Sequence, residues 1–262
     1  MLESPATPSI DCRVYLCGRV MIERRGRVLA DGALAGPQGR LLLAFLGTRR
    51  AQPVSKQQVM EAVWGEQAPP SAETAINAVV SKLRSALREV GMPAPHGVAT
   101  EVGTYQFLVP TAWIDIEHAR SAIDRAEGAW RRHDRLEAWS NANVAAAIAR
   151  HSFLPDEQRT WVEQQRAIVL RVLRRALLTL SAVSTKSGEY ELGIQHAAEA
   201  LAAEPFDERA CQALMAAHAA AGNRAEALRV YAACRKLFRD ELGAEPSEQT
   251  ANVFLSILRG HC

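Results

Sequence analysis

Along the first hundred residues the apolar positions change period repeatedly. Residues 12–16 and 20–23 alternate apolar with polar side chains, the period-two signature of half-buried strands. Residues 26–39 are rich in turn formers and lead into an apolar helix over about 37–47, with Pro37 suited to a first helical position. Ser55-Lys56-Gln57-Gln58 reads as a capping box. It opens a helix through Trp64 with Val59 and Val63 inward, and Gly65 stops it. Pro69-Pro70 then precede Ser71, a good N-cap, and a third helix running to about Val90. Residues 98–102 and 105–109 are β-rich runs joined around Gly103, the pattern of a hairpin.

The third helix carries the first functional signal. At about 100° per residue, Ile76, Val79, Val80, Leu83 and Leu87 share one apolar arc, with Val79 at its edge. The opposite arc holds Thr74, Asn77, Ala78, Ser81, Lys82, Ser85 and Arg88, with no acidic residue among them. A helix entering a DNA major groove needs such a face: small, able to hydrogen-bond, and free of charge that repels phosphate. An ordinary amphipathic surface helix also has a polar face, so the helix alone leaves both readings open. Its setting favours the first. A capped helix, a short turn, an amphipathic second helix and a hairpin make a winged helix-turn-helix arrangement.

From about Asp115 the texture becomes helical throughout, rich in Ala, Leu, Arg and Glu. The join at 109–115, where Pro110 ends an extended run, reads as a short connection. Helices are expected over 116–131 and 135–150, then a long one from near Asp156 with an apolar stripe of Val162, Val169, Leu173, Ala176, Leu180 and Val183. Arg166, Arg171, Arg174 and Arg175 lie mostly off that stripe, and a solvated face is the expected reading over a second nucleic-acid patch. An offset of 34 residues aligns Leu180 with Leu214, Gly188 with Gly222, Gly193 with Ala227, Ile194 with Leu228 and Ala197 with Tyr231. Each unit supplies a turn glycine, then a small residue where two helices approach, and Pro205 and Pro246 follow at suitable distances. That is tetratricopeptide-like (TPR) spacing.

Composition narrows the class. The chain has 262 residues, 48% hydrophobic and 23% charged, as in a folded soluble protein, and is long enough for two domains. No apolar run approaches the ~20 residues of a membrane span, and residues 1–11 carry no secretory signal pattern and read as disordered. Residues 1–111 hold 12 Lys/Arg against 9 Asp/Glu, and 112–262 hold 19 against 20, so charge alone decides nothing. Five scattered cysteines read as reduced thiols of a cytoplasmic protein. Cys12 and Cys17, on or beside neighbouring strands, leave a redox switch open, and the Gly36–Gly39 turn leaves a phosphate site open. No catalytic constellation, metal-ligand spacing or nucleotide-binding glycine loop is found, so no cofactor, no metal and no enzymatic activity are expected.

Two sets of motifs resemble known families. Glu61-Ala-Val63-Trp64-Gly65, Ser81-Lys-Leu83-Arg84-Ser-Ala-Leu87-Arg88 and Gly103-Thr-Tyr105 are similar to the DNA-binding domain of OmpR/PhoB-type regulators. Trp161-Val-Glu163-Gln-Gln-Arg166, Leu177-Leu-Thr-Leu180, Glu204-Pro-Phe206-Asp-Glu208, Leu214-Met215, Tyr231-Ala-Ala-Cys-Arg235 and Leu242-Gly-Ala-Glu245-Pro-Ser247 are similar to a bacterial transcriptional activator domain. Together, over about residues 12–258, the chain resembles the AfsR/DnrI/RedD-like antibiotic regulatory proteins (SARPs), in a small format without appended modules. The resemblance implies a mostly α protein: a winged helix-turn-helix with short strands and a hairpin wing over 12–110, then an all-α TPR-like activator domain over 111–262. It places Thr74, Asn77, Val79, Ser81 and Lys82 at positions facing DNA, Trp64 on the backbone and Gly103-Thr104 at the wing tip. With Ser71, Ala78, Arg84, Ser85 and Arg88 from the polar arc and its surroundings, these complete the candidate DNA-contacting set. Several of those family positions usually carry Arg or His, where this chain has Thr74, Val79 and Ser81. Base readout is therefore expected to be sparse, with Lys82, Arg84 and Arg88 supplying mostly phosphate contacts. The implied partners are double-stranded promoter DNA, RNA polymerase holoenzyme and a second protomer on DNA, with no membrane. A TPR-type adaptor with weak or no DNA binding, or a ligand-sensing module, is the alternative.

Overall fold

The computed structural model describes residues 12–92, 97–109 and 111–260; residues 1–11, expected to be disordered, lie outside them. The described chain divides into two compact units. One takes residues up to His118 together with His151–Ala167, and the other takes Ala119–Arg150 and everything from Ile168 onward. The first unit thus includes a segment that a linear division at 110–111 gives to the helical part. Phe153 bridges Cys17, and Gly18 N–H donates to the Ser152 carbonyl at 2.8 Å.

The first unit runs β1 (Cys12–Tyr15), β2 (Met21–Arg24), β3 (Arg27–Ala30), α1 (Gly36–Gly47), β4 (Val54–Ser55), α2 (Lys56–Trp64), α3 (Ala72–Glu89), β5 (Gly97–Glu101), β6 (Thr104–Leu108) and β7 (Ala112–Ile114). One sheet has the order β3-β2-β1-β7 and the other β4-β6-β5. Leu41 to Leu46 are buried around the whole circumference of α1, which makes it the central helix of this unit. Two expectations change here. The turn-rich stretch after Gly26 opens with a strand, because Arg25 and Gly26 both take positive φ (49° and 77°) and form a tight hairpin that aligns Leu29 opposite Ile22. The join after Val109 is also a strand. Residues of β7 pair in parallel with β1, Cys12 opposite Ala112 and Val14 opposite Ile114.

Asp115 follows at once and is buried. Its carboxylate accepts the N–H groups of Leu16 and Cys17, each at 2.8 Å, and of Ile116 at 2.7 Å. Burial pushes its pKa up, against the pull of those donors. Burial, with Asp115 adding, also pushes the Cys17 thiol up, so the thiolate that a redox switch needs is disfavoured. Gly39 has a packing reason to be glycine. A Cβ there meets the Leu34 carbonyl oxygen at 1.9 Å, and this close approach accounts for the residue without a phosphate.

The remaining helices are α4 (Asp115–Arg131), α5 (Arg135–Ala149), α6 (Thr160–Lys186), α7 (Tyr190–Ala203), α8 (Glu208–Ala220), α9 (Arg224–Leu242) and α10 (Glu248–Arg259); α4 and α6 contribute to both units. Helix α6 begins at Thr160, four residues later than expected. Leu154 adopts φ +43°, and the turn into the helix closes only when Val162 N–H reaches the Arg159 carbonyl at 2.9 Å. The expected solvated arginines are a second correction, because three of the four are tied down. Arg166 donates to the carbonyls of Phe153 at 2.9 Å and Glu157 at 2.8 Å. Arg174 pairs with Asp207, and Arg175 makes a two-pronged contact with Glu127 while also reaching Asp124. The repeat register holds. Gly188 and Gly222 occupy equivalent turns with φ +83° and +79°. A Cβ on Gly193 meets Thr185 Oγ1 at 2.4 Å, and Ala227 in the next unit is fully buried. Tyr231, aligned with the buried Ala197, instead stacks on Phe254 at 4.2 Å.

Candidate nucleic-acid interface

The candidate interface is built from α2, α3 and the β5–β6 wing. Ser55 caps α2 as its sequence predicts: Gln58 N–H donates to Ser55 Oγ at 3.2 Å, and Ser55 N–H donates to Gln58 Oε1 at 3.0 Å. Gly65 ends the helix with φ +58°. Ser71 stands at the N-cap of α3 but makes no side-chain cap bond. The turn is closed by backbone instead, with Ala72 N–H on the Pro69 carbonyl at 2.9 Å and Ala75 N–H on the Ser71 carbonyl at 2.9 Å.

Ile76, Val80, Leu83 and Leu87 are buried on one side of α3, and Val79 at the edge is half-buried. Ser71, Thr74, Asn77, Ala78, Ser81, Lys82, Ser85 and Arg88 are all exposed. The acid-free description holds from Thr74 to Arg88. Glu89, on nearly the same azimuth at 100° per residue, closes the face at the C-terminal end of the helix. At the other end, exposed Glu73 is paired with Lys56 Nζ at 3.0 Å.

Arg84 differs from its neighbours. It is half-buried, and its guanidinium donates from Nε to the Val98 carbonyl at 2.7 Å and from Nη2 to Thr100 Oγ1 at 2.6 Å. The side chain therefore braces β5 against α3. A second tie comes from Tyr105, whose hydroxyl donates to Asn77 Oδ1 at 3.0 Å. Neither tie is legible in sequence, because each joins residues whose proximity only the packed hairpin creates. At the wing tip, Gly103 takes φ +76°, and its carbonyl accepts Lys56 N–H at 2.9 Å. Thr104 Oγ1 donates to the Glu101 carbonyl at 2.9 Å. Val102, not singled out beforehand, is fully exposed at this tip. Trp64 ends α2 half-buried and lines a cleft of about 890 Å³ with Arg49, Gln58, Glu61 and Trp161 among others.

An exposed, small-residue helix face braced to a hairpin wing, in a unit built around a buried helix, defines the winged-helix class of regulator. Comparison with known proteins agrees. The family described as "Transcriptional regulatory protein, C terminal" matches residues 32–104, and "Bacterial transcriptional activator domain" matches residues 114–258. The chain is similar to Regulatory protein AfsR of Streptomyces griseus, at 29% identity over 97% of this chain and 26% of that protein. It is likewise similar to Regulatory protein AfsR of Streptomyces coelicolor, at 29% identity over 89% of this chain and 23% of that protein. It therefore spans about a quarter of the length of these relatives. The structure of Mycobacterium tuberculosis EmbR in complex with a low affinity phosphopeptide superposes with a TM-score of 0.86, at 21% identity, over 96% of this chain and 66% of that one, and shares its fold. The chain belongs to the AfsR/DnrI/RedD-like (SARP) family of transcriptional regulators. No helix among the described residues is long and apolar enough to cross a membrane.

Proposed function

We propose that this chain is a sequence-specific activator that docks its winged helix on promoter DNA and uses its helical domain to contact RNA polymerase and a second protomer on adjacent DNA. The observation that carries the reading is the exposed α3 face, Thr74 through Arg88, held against the wing by Arg84 and Tyr105. Lys82 and Arg88 supply phosphate contacts, and Asn77, Ser81 and Ser85 supply hydrogen bonds to base edges. Trp64, Ser71 and Thr74 flank the groove on the side of α2, and Gly103-Thr104 enters the minor groove. Two modest interfaces in one chain raise the effective concentration of each partner, so moderate DNA affinity suffices. A gel shift of the full chain with promoter fragments at several salt concentrations tests the claim. Discrimination between promoter and scrambled DNA is expected, and sequence-blind retention overturns operator recognition.

A further inference from the structure

We infer that the cleft beside Trp64 binds a small aromatic carboxylate, with Arg49 holding the carboxylate group and Trp64 and Trp161 offering apolar surface to the ring system. Such a site goes beyond the promoter-binding reading and does not rest on it.

The cleft, of about 890 Å³, lies within the first unit, between the chain that leaves α1, the second half of α2 and residues 157–164. Small-molecule sites are of this size. Its aromatic wall is fixed in place. Trp161 Nε1 donates to the Ala62 carbonyl at 3.1 Å, and the indole meets Phe45 and Phe153 edge to face, with ring centroids 5.2 and 5.8 Å apart. Trp64 and Trp161 are both half-buried lining residues, so each keeps ring surface free for a flat apolar group.

Arg49 supplies the charge. Its guanidinium lies over the Phe45 ring, 4.1 Å from the centroid, and the residue is half-buried. Burial lowers its pKa, because a cation drawn part way out of water is disfavoured. Its Nη1 is shut off from water without an acceptor, and no carboxylate among the described residues pairs with the side chain. The adjacent Arg50 shows the contrast, held by both carboxylate oxygens of Glu117 and by the carbonyls of Val109 and Ala112. Glu157, the half-buried acid of the cleft, is already engaged by Arg40 at 2.7 Å and Arg159 at 3.6 Å. The end of α1 favours a cation at this position, but a helix terminus leaves the charge of Arg49 without a counter-ion. A carboxylate bound in the cleft that Arg49 lines provides that counter-ion and a charge-assisted hydrogen bond.

The remaining lining decides which anion fits. Glu61 and Glu66 also line the cleft, and both are exposed. They repel a polyanion such as the phosphate backbone of a duplex. A single carboxylate gains more in contact with Arg49 than it loses to two solvated, screened charges. Gln58, Gln67, Gln158 and Gln164 add neutral donors and acceptors for other polar groups on the ligand. A monoanion with a flat apolar body therefore matches, and aromatic carboxylates are the simplest members of that class.

Proton–nitrogen correlation spectra of the full chain, titrated with benzoate and 2-naphthoate and, for comparison, with neutral 2-naphthamide and with acetate, test this. The indole N–H signals of Trp64 and Trp161 report the site, and the backbone amide signals report the fold. At least one aromatic carboxylate is expected to shift both indole signals to saturation with a Kd below about 1 mM. 2-Naphthamide and acetate are expected to bind about tenfold more weakly, as loss of a charge-assisted bond or of the ring contact requires. Arg49→Gln is expected to weaken the carboxylate about tenfold and leave 2-naphthamide unchanged. Trp64→Leu provides a second variant that leaves Arg49 in place, and it is expected to weaken 2-naphthoate and 2-naphthamide alike, several-fold. Arg171→Ala, which removes an exposed cation of the second unit, is expected to change neither. No saturable indole shift by either carboxylate up to about 10 mM, equal affinity for 2-naphthoate and 2-naphthamide, or affinity unmoved by Arg49→Gln and Trp64→Leu overturns the inference and leaves promoter binding standing.

Discussion

Replacing Gly39 by alanine sets helix propensity against packing, and the two predict opposite signs. Residue 39 lies inside α1, where alanine is favoured over glycine by about 1 kcal/mol. Propensity alone therefore predicts a more stable protein. The added methyl, however, meets the Leu34 carbonyl oxygen at 1.9 Å and the Ala35 Cβ at 2.7 Å. Ordinary contact begins near 3.4 Å, so the first turn of α1 must retreat by roughly 1.5 Å from the chain that leads into it. Neither obstacle is a flexible side-chain end, and α1 is packed all round by its own buried leucines, so overpacking costs at the upper end of the usual range, about 3 kcal/mol. The net expectation for Gly39→Ala is a loss of about 2 kcal/mol, equivalent to a fall in Tm on the order of 5–10 °C for a unit of this size. Urea unfolding followed by tryptophan fluorescence reports it, since Trp64, Trp113 and Trp161 all lie in the first unit. An unchanged or raised midpoint for Gly39→Ala refutes the reasoning, because it shows that the helix moves aside and propensity prevails.

Lys82→Ala and Arg84→Met are expected to separate two residues to which sequence alone gives the same phosphate-contacting role. Lys82→Ala reduces the slope of log affinity against log salt by about one unit. Arg84→Met leaves that slope unchanged but lowers the unfolding free energy by about 1–3 kcal/mol as Val98 and Thr100 lose their partner; a slope change equal to that of Lys82→Ala disproves the bracing role. In the second unit, Arg150 holds Glu199 through bonds of 2.9 and 2.8 Å, and those bonds keep the Glu199 pKa below its ordinary 4.5. The stabilisation is thus fully present above about pH 4.5 and is lost as pH falls through the lower folded value. Being partly exposed and screened, the pair is worth at most about 1 kcal/mol. Arg150→Met should shrink the drop in Tm between pH 6 and pH 3, and an identical pH profile rules the pair out as a contributor.

Legibility followed the range of the forces involved. The Ser55 capping box, the stop at Gly65, the apolar arc Ile76–Leu87 and the paired turns at Gly188 and Gly222 are local, set by backbone geometry and helical period, and each was readable from its own neighbourhood. The strand β7 was not. Three residues after Pro110 have no strand identity until β1, a hundred positions earlier, offers its edge. Arg166, Arg174 and Arg175 read as surface for the same reason, since an arginine's partner is chosen by what packs against it and not by its own segment.

The candidate site divides in the same way. Its outward residues, from Thr74 to Arg88, follow from a period of 3.6 and a buried opposite face, and the chain alone determined them. What each side chain is free to do was decided only by tertiary structure. Arg84 reads as a phosphate ligand and becomes a wing brace, and Asn77 reads as an outward-facing side chain and becomes one that also accepts a hydrogen bond from Tyr105 of the wing. Periodicity sets direction along a single helix, but hydrogen-bond partners come from a hairpin that folds back across some twenty residues of intervening chain, and no pattern within the helix encodes that approach.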